Sequence, residues 1–338
     1  MTAPLGSPIA APAAAEYERL RTDAGLVERS DRLRMTFTGA KAAETLTGLV
    51  TNDVLALEPG HGAYAAALTV KGKIVADVRV FRRADDDFLV DVPAAASAGF
   101  LAMIIKYVNP RLARYADVSA GLACLGVVGP HARQVIAHAL GTSPSEFDLL
   151  PAYAHAGVPF REESVLVARS PDHGIDGFDC FVGAANAGAL RESLRESGAA
   201  PADAHALELL RIEAGRPAWG VDMTDDTLAQ EANLDGLQAI SYTKGCYTGQ
   251  ETVARLHFRG HVNRYLRGLR AGSMPEGPVA VFAGEREVGD VRSRGISPQF
   301  GAIAMAMIRR EVETGTQVTL RAGTAECIAT VTDLPFAP

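Results

Sequence analysis

Apolar and polar positions follow two periods along the first three quarters of the chain. Apolar residues at helical spacing predict helices, and strict alternation predicts half-buried strands between them. The predicted helices span residues 16–26, 40–50, 93–108, 130–140, 186–196 and 202–214. The predicted strands span residues 33–38, several segments within 63–92, 118–128 and 164–168. This order predicts mixed αβ units.

The pattern changes after about His257. No later stretch keeps a helical period, and short apolar runs at 279–282, 302–308 and 318–320 are separated by Gly, Pro and Thr. Short strands with frequent turn residues indicate a small all-β domain, and we expect a barrel.

Length and charge narrow the classes of function. A chain of 338 residues suggests two or three domains. The formal net charge is −7, so the basic surface that nucleic-acid binding requires is not expected. The most apolar stretch, residues 100–108, contains Lys106 and is too short to span a bilayer. We therefore expect neither a nucleic-acid nor a membrane partner.

The four cysteines are far apart in sequence. Cys124, Cys180, Cys246 and Cys327 form no Cys-x-x-Cys pair, so neither a zinc site nor an iron–sulfur cluster bound by this chain alone is expected. Their low density also argues against a disulfide framework and favours a reducing cytoplasm. Residues 1–14 are rich in Ala and Pro and lack the positive charge of a secretory signal, which predicts a disordered tail.

Residues 244–251, Lys-Gly-Cys-Tyr-Thr-Gly-Gln-Glu, are the most informative segment. Two glycines allow a tight turn around Cys246. Lys244 places positive charge near the sulfur, which would favour the thiolate, and Gln250 and Glu251 could orient a ligand or the loop. The alternative is a glycine-rich connector in which Cys246 is a small buried apolar residue.

This segment resembles the signature of the YgfZ family of folate-binding proteins, Lys-Gly-Cys-aromatic-x-Gly-Gln-Glu. That family is related to the glycine-cleavage T protein. Residues 49–54 with Gly-Ala-Tyr at 62–64 resemble an early T-protein segment, and residues 211–215 with 219–222 resemble its Arg-x-Glu-x-Gly run. Together these segments extend the resemblance over nearly the whole chain.

The resemblance implies a T-protein-like α+β fold of three parts. These are a split ferredoxin-like αβ domain that binds folate, an inserted αβ domain and a C-terminal β-barrel. On this sequence the expected divisions are a tail at 1–14, the split domain at 15–52 with 120–250, the inserted domain at 53–119 and the barrel at 251–338. Tetrahydrofolate, or a one-carbon derivative of it, is expected between the domains.

The resemblance also implies ligand contacts. Asp179, in Gly-Phe-Asp at 177–179, matches the T-protein acid that binds the pterin; the alternative is an acid in a turn. Arg211 matches an arginine expected to meet the glutamate tail; the alternative is an ion pair with Glu208 or Glu213. Tyr64 would stack on a ring or fill the core.

The resemblance to the T protein is incomplete at the expected catalytic residues. Aminomethyl transfer in the T protein depends on an acid in an Asp-Asp pair, where this chain has Ala76 and Asp77. Because one acid is replaced, we expect Asp77 not to support efficient transfer, and enzymatic activity is left open. His257 and His261 lie four apart, but Gly260 argues against the helix that would join them at a metal, so no metal site is expected.

Three functions remain at this point. The first is a tetrahydrofolate-binding accessory factor for the assembly or repair of iron–sulfur proteins, acting through Cys246, with iron–sulfur client or assembly proteins as partners. The second is a folate-dependent aminomethyltransferase. The third is a folate-binding module without chemistry. The sequence does not determine the oligomeric state.

Overall fold

The computed structural model describes residues 14–337, and its elements follow the predicted order. In this part of the chain the α-helices are α1 (Ala14–Thr22), α2 (Ala42–Leu49), α3 (Ser97–Tyr107), α4 (Ala132–Leu140), α5 (Ala187–Glu196), α6 (Ala204–Glu213) and α7 (Gln250–Arg259). The strands are β1 (Gly25–Glu28), β2 (Leu33–Thr38), β3 (Gly62–Leu68), β4 (Ile74–Ala84), β5 (Asp87–Val92), β6 (Arg114–Asp117), β7 (Leu122–Val128), β8 (His155–Phe160), β9 (Glu163–Arg169), β10 (Gly177–Gly183), β11 (Ala200–Pro201), β12 (Arg264–Ala271), β13 (Ala280–Ala283), β14 (Arg286–Ser297), β15 (Gly301–Arg309), β16 (Gln317–Ala322) and β17 (Ala325–Thr332). Residues 1–13 of the predicted tail lie outside the described residues, and Ala14 begins α1.

The first αβ unit is an antiparallel five-stranded sheet in the order β3-β4-β5-β2-β6. One face packs against α2 and α3. Phe37 from the sheet, Leu46 from α2 and Phe100 from α3 are all fully buried in this core. Burial of one helix face explains the helical spacing of the apolar residues in α2 and α3.

The second αβ unit is a six-stranded sheet in the order β11-β1-β7-β10-β9-β8, and only β1 and β11 pair in parallel. Its outer face packs against α4 and α5, with Leu125, Ile136 and Leu190 in the core.

A third core lies between the inner faces of the two sheets. It joins Tyr64 and Phe81 of the first unit to Cys124 and Phe181 of the second, and includes residues between 223 and 253. Polar side chains that enter this region are therefore buried between the two units. The candidate site lies there.

The C-terminal strands close into a six-stranded barrel in the order β12-β15-β14-β13-β16-β17. Its interior is apolar, and one side packs against α1 and α6. The predicted α+β class with a C-terminal barrel is confirmed. Between residues 14 and 337, no helix is both long enough and apolar enough to cross a membrane.

Some elements differ from the sequence prediction. The predicted helix at 16–26 ends at Thr22, because Gly25–Glu28 pairs as β1 with β7 and β11. Strand β10 was not predicted, and it is buried on both faces, so its sequence shows no alternation. Helix α7 was not predicted either. Only Val253 of this helix is buried, which leaves a weak apolar pattern.

Sheet membership also differs from the expected division. Strands β1 and β2 are separated by four residues but lie in different sheets. Strand β2 pairs with β5 over six residues and with β6 over four. The chain therefore crosses from one unit to the other between Glu28 and Leu33, earlier than the expected boundary at residue 52, because Met35 and Phe37 belong to the core under α2 and α3.

Candidate functional site

Strand β4 points alternate side chains to opposite faces of its sheet. Ala76 and Val78 lie in the core under α2 and α3. Asp77 and Arg79 lie on the other face, where Asp77 contacts Tyr64 and Arg79 contacts Asp179 of the second unit. The replaced acid position, Ala76, thus faces the helices, whereas the retained acid faces the space between the units. The substitution at Ala76 gives no structural reason to expect impaired transfer.

Asp77 is buried and only half satisfied. Its side chain is 9% exposed, and Oδ2 accepts a hydrogen bond of 3.0 Å from the Tyr64 hydroxyl. Oδ1 has no hydrogen-bond partner among the described residues. Burial raises the pKa of Asp77, although Arg32 and the hydrogen bond from Tyr64 oppose that change. This carboxylate combines a free oxygen with a raised proton affinity, which suits a group that exchanges protons with a ligand.

Tyr153 stacks beside Tyr64. The ring centroids are 6.0 Å apart and the planes are inclined by 19°. Tyr153 has φ = 65°, a left-handed conformation that costs about 1–3 kcal/mol and that concentrates at functional sites. Its hydroxyl is buried without a well-formed hydrogen bond to any of residues 14–337. Burial raises its pKa, and the neighbouring Arg216 opposes that change.

Asp179 is the centre of a buried ion-pair network. Its carboxylate accepts from Nη1 of Arg29 at 3.0 and 3.1 Å and from Nη1 of Arg79. Arg79 also donates to Asp91 through Nε at 2.9 Å and Nη2 at 2.6 Å. The predicted pterin acid is therefore 1% exposed, and both its oxygens already accept from guanidinium groups. Its contact with folate stays a prediction. It requires the Asp179 carboxylate to accept from the pterin as well as from Arg29 and Arg79.

Asp172 extends the network towards Tyr153. Its Oδ2 lies 3.4 Å from Nη1 of both Arg29 and Arg79. Burial alone would raise the pKa of Asp172, but Arg79, Arg29 and Arg216 together hold it well below its usual range. The carboxylate is therefore ionised near neutral pH.

Arg211 uses every N–H of its guanidinium within the protein. Nε and Nη2 donate to Glu208 at 2.7 and 2.5 Å, and Nη2 also donates to Ser293 at 2.6 Å. Nη1 donates to Asp222 at 2.8 Å and to the Arg216 carbonyl. Of the two ion pairs considered from the sequence, the one with Glu208 is present. Contact between Arg211 and a folate tail stays a prediction. It would require a carboxylate of the folate to replace one of these acceptors.

Lys244 holds the Cys246 loop against the end of α2. Its Nζ donates to the carbonyl oxygens of Thr47, Val50 and Asn52 at 2.5, 2.6 and 2.8 Å. An ammonium has three N–H donors, and these three acceptors take them all. The lysine therefore acts on the C-terminal end of α2, where a cation is favourable, and has no N–H left for the sulfur of Cys246.

The rest of the loop is partly open to solvent. Cys246 is exposed, Gln250 is half-buried and Glu251 is exposed at the start of α7. The second glycine of the motif, Gly249, has φ = 84°, and a Cβ there would lie 2.6 Å from the carbonyl oxygen of Thr69. This close approach explains one of the two glycines. A Cβ at Gly245 would meet nothing within 4 Å.

The other cysteines are less accessible. Cys124 and Cys180 are fully buried, and burial raises the pKa of both thiols. Cys327 is partly exposed, and burial raises its pKa as well. Its Sγ donates to the Ser273 carbonyl at 3.2 Å. Within the described residues, no group of three or more His, Cys, Asp or Glu side chains could hold a metal ion.

The structure thus separates the predicted site residues into two groups and leaves Arg211 apart from both. Tyr64, Asp77 and Asp179 lie in the interior between the units, whereas Lys244, Cys246, Gln250 and Glu251 belong to the loop beside α2 and α7. Arg211 joins α6 to the barrel.

Sequence reasoning missed several polar residues of the interior, among them Arg79, Tyr153 and Arg216. Arg79 could have been found, because it lies two positions after Asp77 on a predicted strand and therefore on the same face. Tyr153 and Arg216 lie outside the quoted motifs, and only the tertiary fold brings them to Tyr64.

Comparison with known proteins agrees with this architecture. Residues 6–241 match the family model of the GCVT N-terminal domain, and residues 264–337 match that of the glycine cleavage T-protein C-terminal barrel domain. An aminomethyltransferase of Rubrobacter xylanophilus is 32% identical over 331 residues, covering 95% of this chain and 85% of that protein. One of Saccharopolyspora erythraea is 31% identical, covering 96% of this chain and 89% of that protein.

A solved structure shows the same fold. The glycine cleavage system aminomethyltransferase T from Bartonella henselae superposes with a TM-score of 0.85 at 26% identity, covering 96% of this chain and 89% of that one. Aminomethyltransferases of this kind use tetrahydrofolate. Sequence, domain models and fold together show that the chain belongs to the glycine-cleavage T-protein family.

Proposed function

We propose that this protein binds tetrahydrofolate between its two αβ units and catalyses a folate-dependent one-carbon transfer of the aminomethyltransferase type. The observation that carries the proposal is Asp77. It lies on the inner face of β4 with one free carboxylate oxygen and a raised pKa. Similarity to aminomethyltransferases over 95–96% of this chain supports the same function.

The interior offers groups suited to a pterin. The near-parallel rings of Tyr64 and Tyr153 provide an aromatic surface. Asp77 Oδ1 is a buried polar atom without a partner among the described residues, and a bound ligand would satisfy it. Asp179 would accept from the pterin if the ligand shares its carboxylate with Arg29 and Arg79.

Asp77 is the acid–base group in this proposal. When bound, tetrahydrofolate supplies the nitrogen that takes the one-carbon unit. Asp77 would hold or remove a proton at Oδ1, while Tyr64 fixes the carboxylate through Oδ2. Burial raises the pKa of Asp77, and an acid–base group works best when its pKa lies near the operating pH.

A reconstituted glycine-cleavage assay tests the proposal. The wild-type protein should replace a T protein in releasing ammonia from an aminomethylated lipoyl carrier. Asp77→Asn should lower kcat by about 10²–10⁴-fold, the usual contribution of a positioned acid–base group. Its affinity for tetrahydrofolate, measured by calorimetry, should change much less. Absence of turnover by the wild-type protein would refute the transferase.

A second function is favoured by the exposure of Cys246. In this alternative the protein is a tetrahydrofolate-binding accessory factor for the assembly or repair of iron–sulfur proteins, as the resemblance to the YgfZ family implies. The support is an accessible thiol on a loop that Lys244 fixes to α2.

Complementation tests this alternative. In a deletion strain with impaired iron–sulfur enzymes, Cys246→Ser should keep its fold and folate affinity yet fail to restore enzyme activity. Cys327→Ser, at another partly accessible thiol, is the matched control and should restore it. Full rescue by Cys246→Ser would exclude a chemical role for the thiol.

A further inference from the structure

The turn after α6 places Arg216 beside Tyr64 and Tyr153. Gly215 has φ = 63°, which reverses the chain, and a Cβ there would lie 2.7 Å from Cβ of Leu334. The Arg216 amide donates to the Arg211 carbonyl at 3.1 Å, and the Arg216 carbonyl accepts from Nη1 of Arg211. The backbone at Arg216 is therefore held from both sides, which fixes the point from which its side chain extends.

The guanidinium of Arg216 lies over the ring of Tyr64, with Cζ 5.8 Å from the centroid. No carboxylate of the described residues forms an ion pair with it, whereas Arg29 and Arg79 each lie within 3.4 Å of Asp172. Burial alone would lower the pKa of Arg216, but Tyr153, Asp172 and Tyr64 raise it. Burying a charged guanidinium without an ion-pair partner destabilises the folded protein, so such a group is unusual in a protein interior.

Tyr64 connects this guanidinium to Asp77. Arg216 lies over its ring and Asp77 accepts from its hydroxyl, so one side chain lies next to both charged groups. Tyr153 stacks on the same ring, and its hydroxyl lies beside the Arg216 guanidinium, without a well-formed hydrogen bond to any residue within 14–337. The forked N–H groups of Arg216 and the O–H of Tyr153 are donors that match the two oxygens of a carboxylate.

We propose that Arg216 and Tyr153 bind a carboxylate group of a molecule that reacts beside Asp77. This inference rests on the proposed function, because it names the chemistry of a ligand at the same site. A singly charged group is favoured over a phosphate, since Asp172 already places a negative charge nearby. The carboxylate belongs either to the glutamate tail of the folate or to a separate small carboxylic acid.

The alternative is that Arg216 serves only to offset the charge of Asp172. That role would not require a ligand, and Asp172 already has Arg29 and Arg79 as partners. Substitution of Arg216 by glutamine distinguishes this role from ligand binding. It removes the cation of Arg216 but leaves Arg29 and Arg79 beside Asp172.

Two measurements on the full chain test the proposal. Calorimetry compares tetrahydrofolate with tetrahydropteroate, which lacks the glutamate tail. Fluorescence of Trp219, the one tryptophan of the chain, compares acetate with its neutral analogue acetamide. Trp219 packs against the core that contains Tyr64 and Tyr153, so it reports on ligands there. The variants are Arg216→Gln, Arg216→Lys and, as a control, the exposed Arg255→Gln.

If the carboxylate is that of the folate tail, Arg216→Gln should weaken the binding of tetrahydrofolate roughly tenfold or more. The affinity for tetrahydropteroate should not change. If a separate acid is the source, the variant should lose the acetate response by a similar factor and keep folate affinity. The affinity of Arg216→Lys should lie between those of the wild type and Arg216→Gln, because lysine keeps the positive charge but lacks the paired N–H groups of a guanidinium. Arg255→Gln should match the wild-type protein.

Unchanged binding of both probes by a folded Arg216→Gln would overturn the proposal. So would a wild-type protein that binds tetrahydrofolate and tetrahydropteroate equally and does not respond to acetate. An acetate response that depends on Arg216, in a protein without folate binding, would instead retain the carboxylate site and refute the folate-dependent function.

Discussion

The hydroxyl of Tyr64 donates a hydrogen bond of 3.0 Å to Oδ2 of Asp77, across the adjacent strands β3 and β4. The bond fixes the carboxylate through Oδ2. The other oxygen, Oδ1, has no hydrogen-bond partner among the described residues. It also opposes the effect of burial on the pKa of Asp77. Removal of the hydroxyl should therefore change the pH dependence of any reaction in which Asp77 takes a proton.

The change Tyr64→Phe tests this relationship. Loss of the hydrogen bond removes a contribution that lowers the pKa of Asp77, so its pKa should rise. If ionised Asp77 is the general base, the acid limb of kcat/KM should shift to higher pH. The control is Tyr115→Phe, at a partly buried tyrosine packed against Phe37 in the core under α2 and α3. A profile identical to that of the wild-type protein would exclude Asp77 as the titrating group.

Asp77→Asn should make the folded protein more stable at neutral pH. The folded pKa of Asp77 is raised above its ordinary value of 3.8, so the ionised carboxylate destabilises the folded state above the folded pKa. The stability difference between variant and wild type should shrink as the pH falls through the folded pKa towards 3.8. Urea denaturation at several pH values measures this difference. A variant less stable than the wild type at pH 7 would contradict the inferred burial cost.

The sequence predicted the fold better than the site. Alternation and helical spacing located β2, α2 and most of the later helices, because one face of each is buried. The same alternation could have shown that Asp77 and Ala76 face opposite sides. The contacts of Tyr153 and Arg216 with Tyr64 join residues distant in sequence, and no local pattern encodes such contacts.

The motif around Cys246 shows a different limit of sequence reasoning. Proximity in sequence suggested that Lys244 acts on the thiol, but the folded chain directs its ammonium to three carbonyl oxygens at the end of α2. Sequence distance gives no direction for a long side chain, and buried carbonyl groups compete strongly for a cation.

Arg79→Met should strongly destabilise the protein. Arg79 is 2% exposed and pairs with both Asp91 and Asp179, so its removal leaves buried carboxylates with fewer partners. Breaking a buried ion pair on one side costs about 3–5 kcal/mol. The control, Arg83→Met, removes a more exposed pair with Asp87 and should cost less than about 1 kcal/mol. Equal effects of the two variants in urea denaturation would show that the buried network contributes little.

Lys244→Met should loosen the Cys246 loop. Three carbonyl oxygens at the end of α2 would lose their donor, and one buried unsatisfied group costs about 1–3 kcal/mol. Hydrogen exchange should then increase at Thr248, whose amide donates to the Gly48 carbonyl at 3.0 Å. Lys41→Met, at an exposed pair with Glu44, is the control and should leave exchange unchanged. Unchanged protection in both variants would show that Lys244 does not hold the loop.

Cys246 should react with an alkylating reagent before the other cysteines. It is exposed, whereas Cys124 and Cys180 are fully buried with raised pKa values, and Cys327 is partly exposed with a raised pKa. Because the thiolate is the reacting species, both burial and a raised pKa slow alkylation. Differential labelling followed by mass spectrometry should give the order Cys246, then Cys327, then the two buried thiols. Alkylation of the buried thiols should require denaturant, which serves as the internal control for folding. A faster reaction at Cys327 than at Cys246 would show that the loop shields its thiol in solution, and it would remove the structural support for a reaction at Cys246.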